Sequence, residues 1–256
     1  MGPLAVVLLC LGIGLFMAEP LHGVAVQQQS PPTEQPIWAK RSTALDLSCT
    51  AHPPAITAPD HQSSVEVICS LHKDDDPTYV LRVITADHHL FDLPLEEGAH
   101  ELLWAPNSKS FFVNGGESAY SGFFVSVYEM DSSTGVRKRT LTGAAQRDMV
   151  KSFPPCKAWN RDDDECARIT REPQYNMSGL GWTEDSSAVY VFAEVPCSSS
   201  YGGIMCQVLG YELNVRSGRI LKRLPAQQVK QEWAQFAAWD IRVPDPPKYG
   251  AAHVTW

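Results

Sequence analysis

The sequence predicts a mostly β protein built from antiparallel four-stranded units. Two observations carry this: one stretch of chain occurs twice, and each copy divides into strand-like segments joined by turn chemistry. The first copy opens Glu101-Leu-Leu-Trp-Ala-Pro-Asn-Ser-Lys-Ser-Phe-Phe-Val-Asn114 and closes in Val127-Tyr-Glu-Met-Asp-Ser-Ser-Thr-Gly135. The second opens Leu180-Gly-Trp-Thr-Glu-Asp-Ser-Ser-Ala-Val-Tyr-Val-Phe192 and closes in Gly210-Tyr-Glu-Leu-Asn-Val-Arg-Ser-Gly218. Trp104 aligns with Trp182, Asn107-Ser108 with Asp185-Ser186, Tyr128-Glu129 with Tyr211-Glu212, and Gly135 with Gly218.

Within each copy the elements follow one order. An apolar strand ends in the Trp. A turn follows, in which Asn107 or Asp185 can accept a bond from its own downstream backbone. The runs Phe111 to Val113 and Val189 to Phe192 are aromatic and β-branched, as a buried strand requires. A third strand carries the Tyr-Glu pair and closes at Gly135 or Gly218, where glycine supplies the positive φ of a hairpin loop. The basic tails Val136 to Leu141 and Arg219 to Leu224 read as fourth, more exposed strands. Four strands per unit is the grammar of a propeller blade, so a small or incomplete propeller is expected. A curved sheet or sandwich made of the same units is the alternative.

Trp104-Ala-Pro-Asn-Ser-Lys109 closely resembles the TolB-like, WD40-like (PD40-type) β-propeller blade signature, and Trp182-Thr-Glu-Asp-Ser-Ser187 is a degenerate copy. The stretch from about Asp87 to Leu224 is also similar to a group of uncharacterised bacterial secreted proteins. That resemblance implies export and implies no activity, because propellers host many functions.

Before the repeats, Leu4 to Ala18 is an apolar run too short for a comfortable membrane span. Gly23-Val-Ala25 offers a cleavage site, so residues 1–25 read as a signal peptide, although residues 2–20 hold no Lys or Arg. Residues 26–43, rich in Pro and Gln, are expected to form a disordered tether. A single β-rich domain is assigned to 44–242, with its blade-like repeats at about 99–142 and 178–224, and an irregular tail to 243–256.

Inside that domain the proline-bearing segment 51–64 is expected to be a loop. Ser64 to Leu71 alternates as a strand, and Thr78 to Thr85 with Leu90 to Leu93 form a hairpin. These make a partial first unit. Ala144 to Phe153 is expected as a short helix. Gln227 to Trp239 places Val229, Trp233, Phe236 and Ala237 at helical spacing, predicting a helix docked on the last sheet.

With 21 basic and 29 acidic residues and a net charge of −8, the chain is a poor match to nucleic acid. Seven cysteines are present, one of them, Cys10, in the leader. The other six fall into neighbours: Cys49 with Cys69, Cys156 with Cys166, Cys197 with Cys206. In an exported chain these read as disulfides, though six cysteines allow about 15 connectivities. The alternative is six reduced, buried thiols.

The sequence nominates no catalytic residue, metal site or cofactor. Asn160, Asp162 and Asp164 alternate as in calcium loops but lack the glycine and glutamate an EF-hand needs, so they read as a solvated acidic loop, as does Asp74 to Asp76. His88 and His89 sit in a turn, and neighbours on one strand point to opposite faces. Gly116-Glu-Ser118 is half a nucleophile elbow, with Tyr120 where the second glycine belongs. Trp104, Trp182, Trp233 and Trp239 could form a sugar platform but read as inter-blade core. Asn176-Met-Ser178 is a formal glycosylation sequon.

The function expected is that of a periplasmic or secreted, non-enzymatic binding module for an unknown protein, small-molecule or glycan partner. Loops stapled by cysteines would present Asp162, Asp163, Asp164 and Tyr201 as contacts. A secreted hydrolase whose site assembles only in space is the competing expectation.

Overall fold

The computed structural model describes residues 37–71, 77–95, 98–116, 123–131, 135–154, 174–197 and 199–245. Three antiparallel sheets follow one another along the chain. The first holds β2 (Ile56–Thr57), β3 (Ser64–Ser70), β4 (Thr78–Ile84) and β5 (Leu90–Pro94). The second joins β1 (Thr43–Ala44) to β6 (Ala99–Trp104), β7 (Ser110–Gly116), β8 (Phe123–Asp131) and β9 (Gly135–Arg139). The third holds β10 (Asn176–Trp182), β11 (Ala188–Glu194), β12 (Val208–Asn214) and β13 (Ile220–Pro225). β2–β5, β6–β9 and β10–β13 are each a meander in sequence order, with β1 added from earlier in the chain to the edge of the second sheet beside β6. Each unit is therefore blade-like and the fold is propeller-like. The first unit is complete, with four strands; the partial unit expected from the sequence is corrected by the two-residue β2, which the proline-rich segment conceals.

Strand alternation sorts the side chains of each sheet onto two faces and so builds the core between sheets. Val65, Val67, Leu81 and Val83 of the first sheet meet Trp104, Phe111 and Tyr128 of the second. The opposite face of the second sheet offers Phe112 and Val127 to Trp182, Val189, Val191 and Tyr211 of the third. The far face of the third sheet, with Leu180, Phe192, Val208 and Leu224, is covered by Val229 and Trp233. Those two residues lie on α2 (Ala226–Trp233). The expected helix therefore exists but stops at Trp233. Phe236 and Ala237 leave it because Ala237 pairs with Ala39 and the Phe236 carbonyl accepts the Lys40 amide at 2.7 Å.

The other helix, α1 (Gly143–Ser152), follows the second sheet and buries Ala145 and Met149. Its Asp148 Oδ2 accepts from the Tyr211 hydroxyl at 2.8 Å and from Arg223 Nε at 2.6 Å, which locks the helix to β12 and β13. Burial, and then that bond to Asp148, push the Tyr211 pKa far above the ordinary phenol range.

The fold begins earlier than the sequence boundary of 44. Residues 37–43, assigned by sequence to the tether, are part of the structure. Trp38 and Ala39 are buried, and the Glu101 carboxylate gathers their amides. Glu101 Oε2 accepts from Ile37 N (2.8 Å) and Trp38 N (3.1 Å), and Oε1 accepts from Ala39 N (2.8 Å) and Asn114 Nδ2 (2.8 Å). Asn114 also pairs with the Gly179 backbone, donating to its carbonyl and accepting from its amide, each at 2.8 Å. One buried polar knot thus ties the amino-terminal segment, the second sheet and the third. A side chain at Gly179 would press on Phe112, with ring atoms 3.0 Å from its Cβ, so glycine is what lets β10 approach β7.

Candidate functional site

The turn that the sequence repeats twice occurs three times. Ala58-Pro-Asp-His-Gln-Ser63 matches Ala105-Pro-Asn-Ser-Lys-Ser110 and Thr183-Glu-Asp-Ser-Ser-Ala188. In each the first residue donates to the last, at 2.8, 2.8 and 3.0 Å. In each the acidic or amide side chain accepts from the amide two residues on: Gln62 to Asp60, Lys109 to Asn107, Ser187 to Asp185. The fourth residue is left-handed in all three, with φ of 60° at His61, 58° at Ser108 and 60° at Ser186. Thr183 Oγ1, then the amide and hydroxyl of Ser187, hold the Asp185 carboxyl below the usual carboxylate range.

Successive turns are linked. The Asp60 amide donates to Ser108 Oγ at 3.0 Å, and the Asn107 amide donates to Ser186 Oγ at 3.1 Å. The tryptophans repeat the same step at the inner strands: Trp104 Nε1 donates to the Ile56 carbonyl (3.1 Å) and Trp182 Nε1 to the Leu103 carbonyl (3.3 Å). Each joint between sheets is therefore made by one indole and one hydroxyl at equivalent positions. This supports the packing role read from sequence for Trp104 and Trp182, and Trp233 is buried under β12.

Above each joint lies a cleft. One of about 520 Å³ separates the first and second sheets, and one of about 500 Å³ the second and third. Both are bounded by the turns of two adjacent sheets and by outer hairpin residues, and both include Lys109, Met130 and Asp131. Their charges differ. The first contains Lys109 and His89 against Asp60, Asp87 and Asp131. The second contains Lys109, Arg137, Arg139 and Arg216 against Glu129, Asp131 and Asp185. Arg139 is held there by Glu129 through Nε and by the Arg216 carbonyl, which its Nη1 reaches at 3.2 Å. Arg137 and Arg216 are exposed. On an acidic chain this cleft is the one of the two in which cations outnumber anions, four to three. Sequence reasoning missed it because its arginines come from β9 and from the loop after β12, and Lys109 from the turn between β6 and β7, which only the stacking of sheets brings together.

Of the residues nominated from sequence, Tyr201 is corrected. It is 8% exposed, and its hydroxyl donates to the Gln174 carbonyl at 2.7 Å, so it anchors its loop instead of presenting a contact. Asp162, Asp163 and Asp164, with Cys156 and Cys166, lie outside the described residues, as do Asp74 to Asp76, Ser118, the leader and residues 246–256. Disulfides join Cys49 to Cys69 and Cys197 to Cys206. Among the described residues no group of three or more His, Cys, Asp or Glu is placed to hold a metal ion, and His88 and His89 are exposed in their turn. The sequon is folded into β10: Asn176 Nδ2 donates to Glu194 Oε2 at 3.2 Å, and Ser178 is fully buried. No helix among the described residues is long and apolar enough to cross a membrane.

No family model and no curated protein matches this chain. Among solved structures it is similar to the β-propeller domain of the Trilobed protease from Pyrococcus furiosus, described as having an open velcro topology. The identity is 10%, the TM-score 0.38, and the match covers 72% of this chain and 42% of that one. The chain therefore spans less than half the length of that structure.

Proposed function

We propose that this chain is an exported, disulfide-stabilised binding module without catalytic activity, and that its ligand enters the basic cleft between the second and third sheets. The observation that carries the reading is the pair of equivalent clefts. The turns and joints beneath them are alike, while the side chains lining them differ in charge, as expected where a scaffold is kept and its surface is used for recognition. The hydroxyls of Ser108 and Ser186 accept amide bonds from Asp60 and Asn107, which gives both a structural use. Export rests on the leader-like amino terminus, on the similarity of about Asp87 to Leu224 to a group of uncharacterised bacterial secreted proteins, and on the disulfides.

Arg137 and Arg216 line the cleft from opposite sheets and are exposed, so the ligand group they suit is an anion: a carboxylate or sulfate on a glycan, or an acidic peptide. The test is an array of carboxylated and sulfated glycans and acidic peptides at low ionic strength, probed with the wild type and with the double variant Arg137→Glu, Arg216→Glu. Binding that the wild type shows and the variant loses is expected. Binding equal in both, or none to any acidic probe, would sink the cleft assignment.

A further inference from the structure

The loop between β11 and β12 carries a second chemistry, away from the cleft. Cys197 and Cys206 bracket it, with their Cα atoms 4.5 Å apart. Their proximity does not depend on the disulfide. Val195 donates to the Gln207 carbonyl at 2.8 Å and Cys206 to the Val195 carbonyl at 2.9 Å, which extends the hairpin ladder past the strand ends. Tyr201 and Ile204 are buried and pin the loop from within. The loop it closes is also the shorter one, with a sequence separation of 9 against 20 for Cys49–Cys69, so this crosslink removes less chain entropy from the unfolded state than the other does. Two thiols left on this frame would stay within reach of each other, so the bond can open and close again.

One neighbour gives the bond a preferred direction. Glu194 Oε1 lies 3.6 Å from Cys197 Sγ, and its other oxygen accepts from Asn176 Nδ2. A disulfide sulfur has no hydrogen to donate, so this contact is a hydrogen bond only when Glu194 is protonated and donates to sulfur. Burial pushes the Glu194 carboxyl up from its ordinary value near 4.5, and the Asn176 bond opposes this; among the described residues no charged side chain contributes. Cys197 itself is exposed. Cys206 is half-buried, as Cys49 and Cys69 of the other disulfide are, so the two bonds differ in the exposure of Cys197 and in the group facing sulfur. Cys49 Sγ faces the Tyr79 hydroxyl at 3.9 Å, which donates to the Leu47 carbonyl.

We propose that Cys197–Cys206 is an exchangeable disulfide in which Glu194 protonates the departing Cys197 sulfur, with a dithiol as the reductant. A thiolate of the dithiol attacks Cys206 Sγ. The Cys197–Cys206 bond breaks, a mixed disulfide forms on Cys206, and the electron pair leaves on Cys197, which takes the Glu194 proton. The second thiol of the reductant, having lost its proton to water, then attacks the reductant's own sulfur in the mixed disulfide and releases Cys206 as a thiolate. The reductant departs as the oxidised cyclic disulfide, and Cys206 and Glu194 each take a proton from solvent. Attack falls on Cys206 because exchange is faster when the leaving thiolate is stabilised, and Glu194 stabilises only Cys197.

The test is reduction of the oxidised full chain by dithiothreitol between pH 5 and pH 9, with differential alkylation and mass spectrometry reporting each disulfide separately. Rates are normalised to the dithiothreitol thiolate present. Cys197–Cys206 is expected to open faster than Cys49–Cys69 at acid pH. Its normalised rate constant should fall as pH rises and Glu194 ionises, by about tenfold, less than the roughly 10²–10⁴ typical of positioned proton donors because Cys197 is open to solvent. In Glu194→Gln the same rate constant should be low and independent of pH, while Cys49–Cys69 is unchanged. A flat wild-type profile would overturn the proposal, as would a Gln variant that keeps the pH dependence. Acid-quenched mixed disulfides should carry the reagent on Cys206, and reagent found on Cys197 would overturn the assigned direction.

Discussion

Replacing Glu101 by Ala removes the acceptor shared by four N–H groups. The donors are Ile37, Trp38 and Ala39 through their amides and Asn114 through Nδ2, at 2.8 to 3.1 Å. A hydrogen bond to a charged group contributes about 1.5–3 kcal/mol, so four lost in place would cost roughly 6–12 kcal/mol. The protein has a cheaper response, which is to release residues 37–42 to water. That release forfeits the burial of Trp38, about 2–3 kcal/mol. It also breaks the bonds Lys40 N to Phe236 O and Ala238 N to Trp38 O, about 1 kcal/mol each. Together with the Glu101 bonds, which are lost either way, this comes to roughly 10–17 kcal/mol, of which the backbone entropy regained by residues 37–42 offsets roughly 6–12. The loss should therefore level off at about 4–5 kcal/mol, near the upper range for a single substitution. Urea unfolding gives the total, and hydrogen exchange at the Trp38 and Ala39 amides shows whether the segment has left. Glu101→Gln keeps one acceptor oxygen but turns an NH₂ toward a donor, so it should fall between wild type and Ala. An Ala variant within about 1 kcal/mol of wild type, with both amides still protected, would refute the claim that this carboxylate holds the segment.

Two further substitutions test the joints. A Cβ at Gly210 would lie 2.6 Å from Trp233 Cζ3 and from Val229 Cγ2, so Gly210→Ala should destabilise by about 1–3 kcal/mol and make α2 the first site of limited proteolysis. An unchanged melting temperature and digestion pattern would contradict that packing. At Ser186 the hydroxyl accepts from Asn107, but φ is +60°, so the two effects can be separated. Ser186→Ala should lose about 1 kcal/mol, whereas Ser186→Gly loses the same bond and recovers about 1 kcal/mol of left-handed strain, ending near wild type in urea. A glycine variant as unstable as the alanine one would show that the turn carries no such strain.

The second and third sheets were legible because each carries its turn beside a Trp and ends in a Tyr-Glu strand. Three strands of the first sheet were legible as a partial unit, but β2 and the turn after it were not, although Ala58-Pro-Asp60 nearly copies Ala105-Pro-Asn107. Two things hid them. His61 stands where the other turns have serine, a residue that also tolerates positive φ, and β2 is only two residues long and lacks the Trp. Glu101 was illegible for a different reason. A glutamate in a strand reads as exposed unless the reader knows which amides will converge on it, and here three come from residues 37–39, far away in sequence. The basic cleft shares that limit, since Arg137 and Arg216 become neighbours only through sheet stacking.

The way the row of sheets ends was written in one aligned position. Val127 and Gly210 precede the paired residues Tyr128 and Tyr211. In both strands the tyrosine faces the preceding sheet, Tyr128 with the first and Tyr211 with the second. The residue before it must then face onward. Val127 does so, packing in the core shared with the third sheet. Gly210 faces onward too, but what it meets is Trp233 and Val229 of α2. A strand-borne valine fits a neighbouring sheet, where two pleated faces interdigitate. A helix carrying an indole needs that space itself, and the glycine provides it. The change from valine to glycine thus marks where sheet-on-sheet packing gives way to helix-on-sheet packing. It explains why α2, and not a further strand face, packs on the onward side of the third sheet.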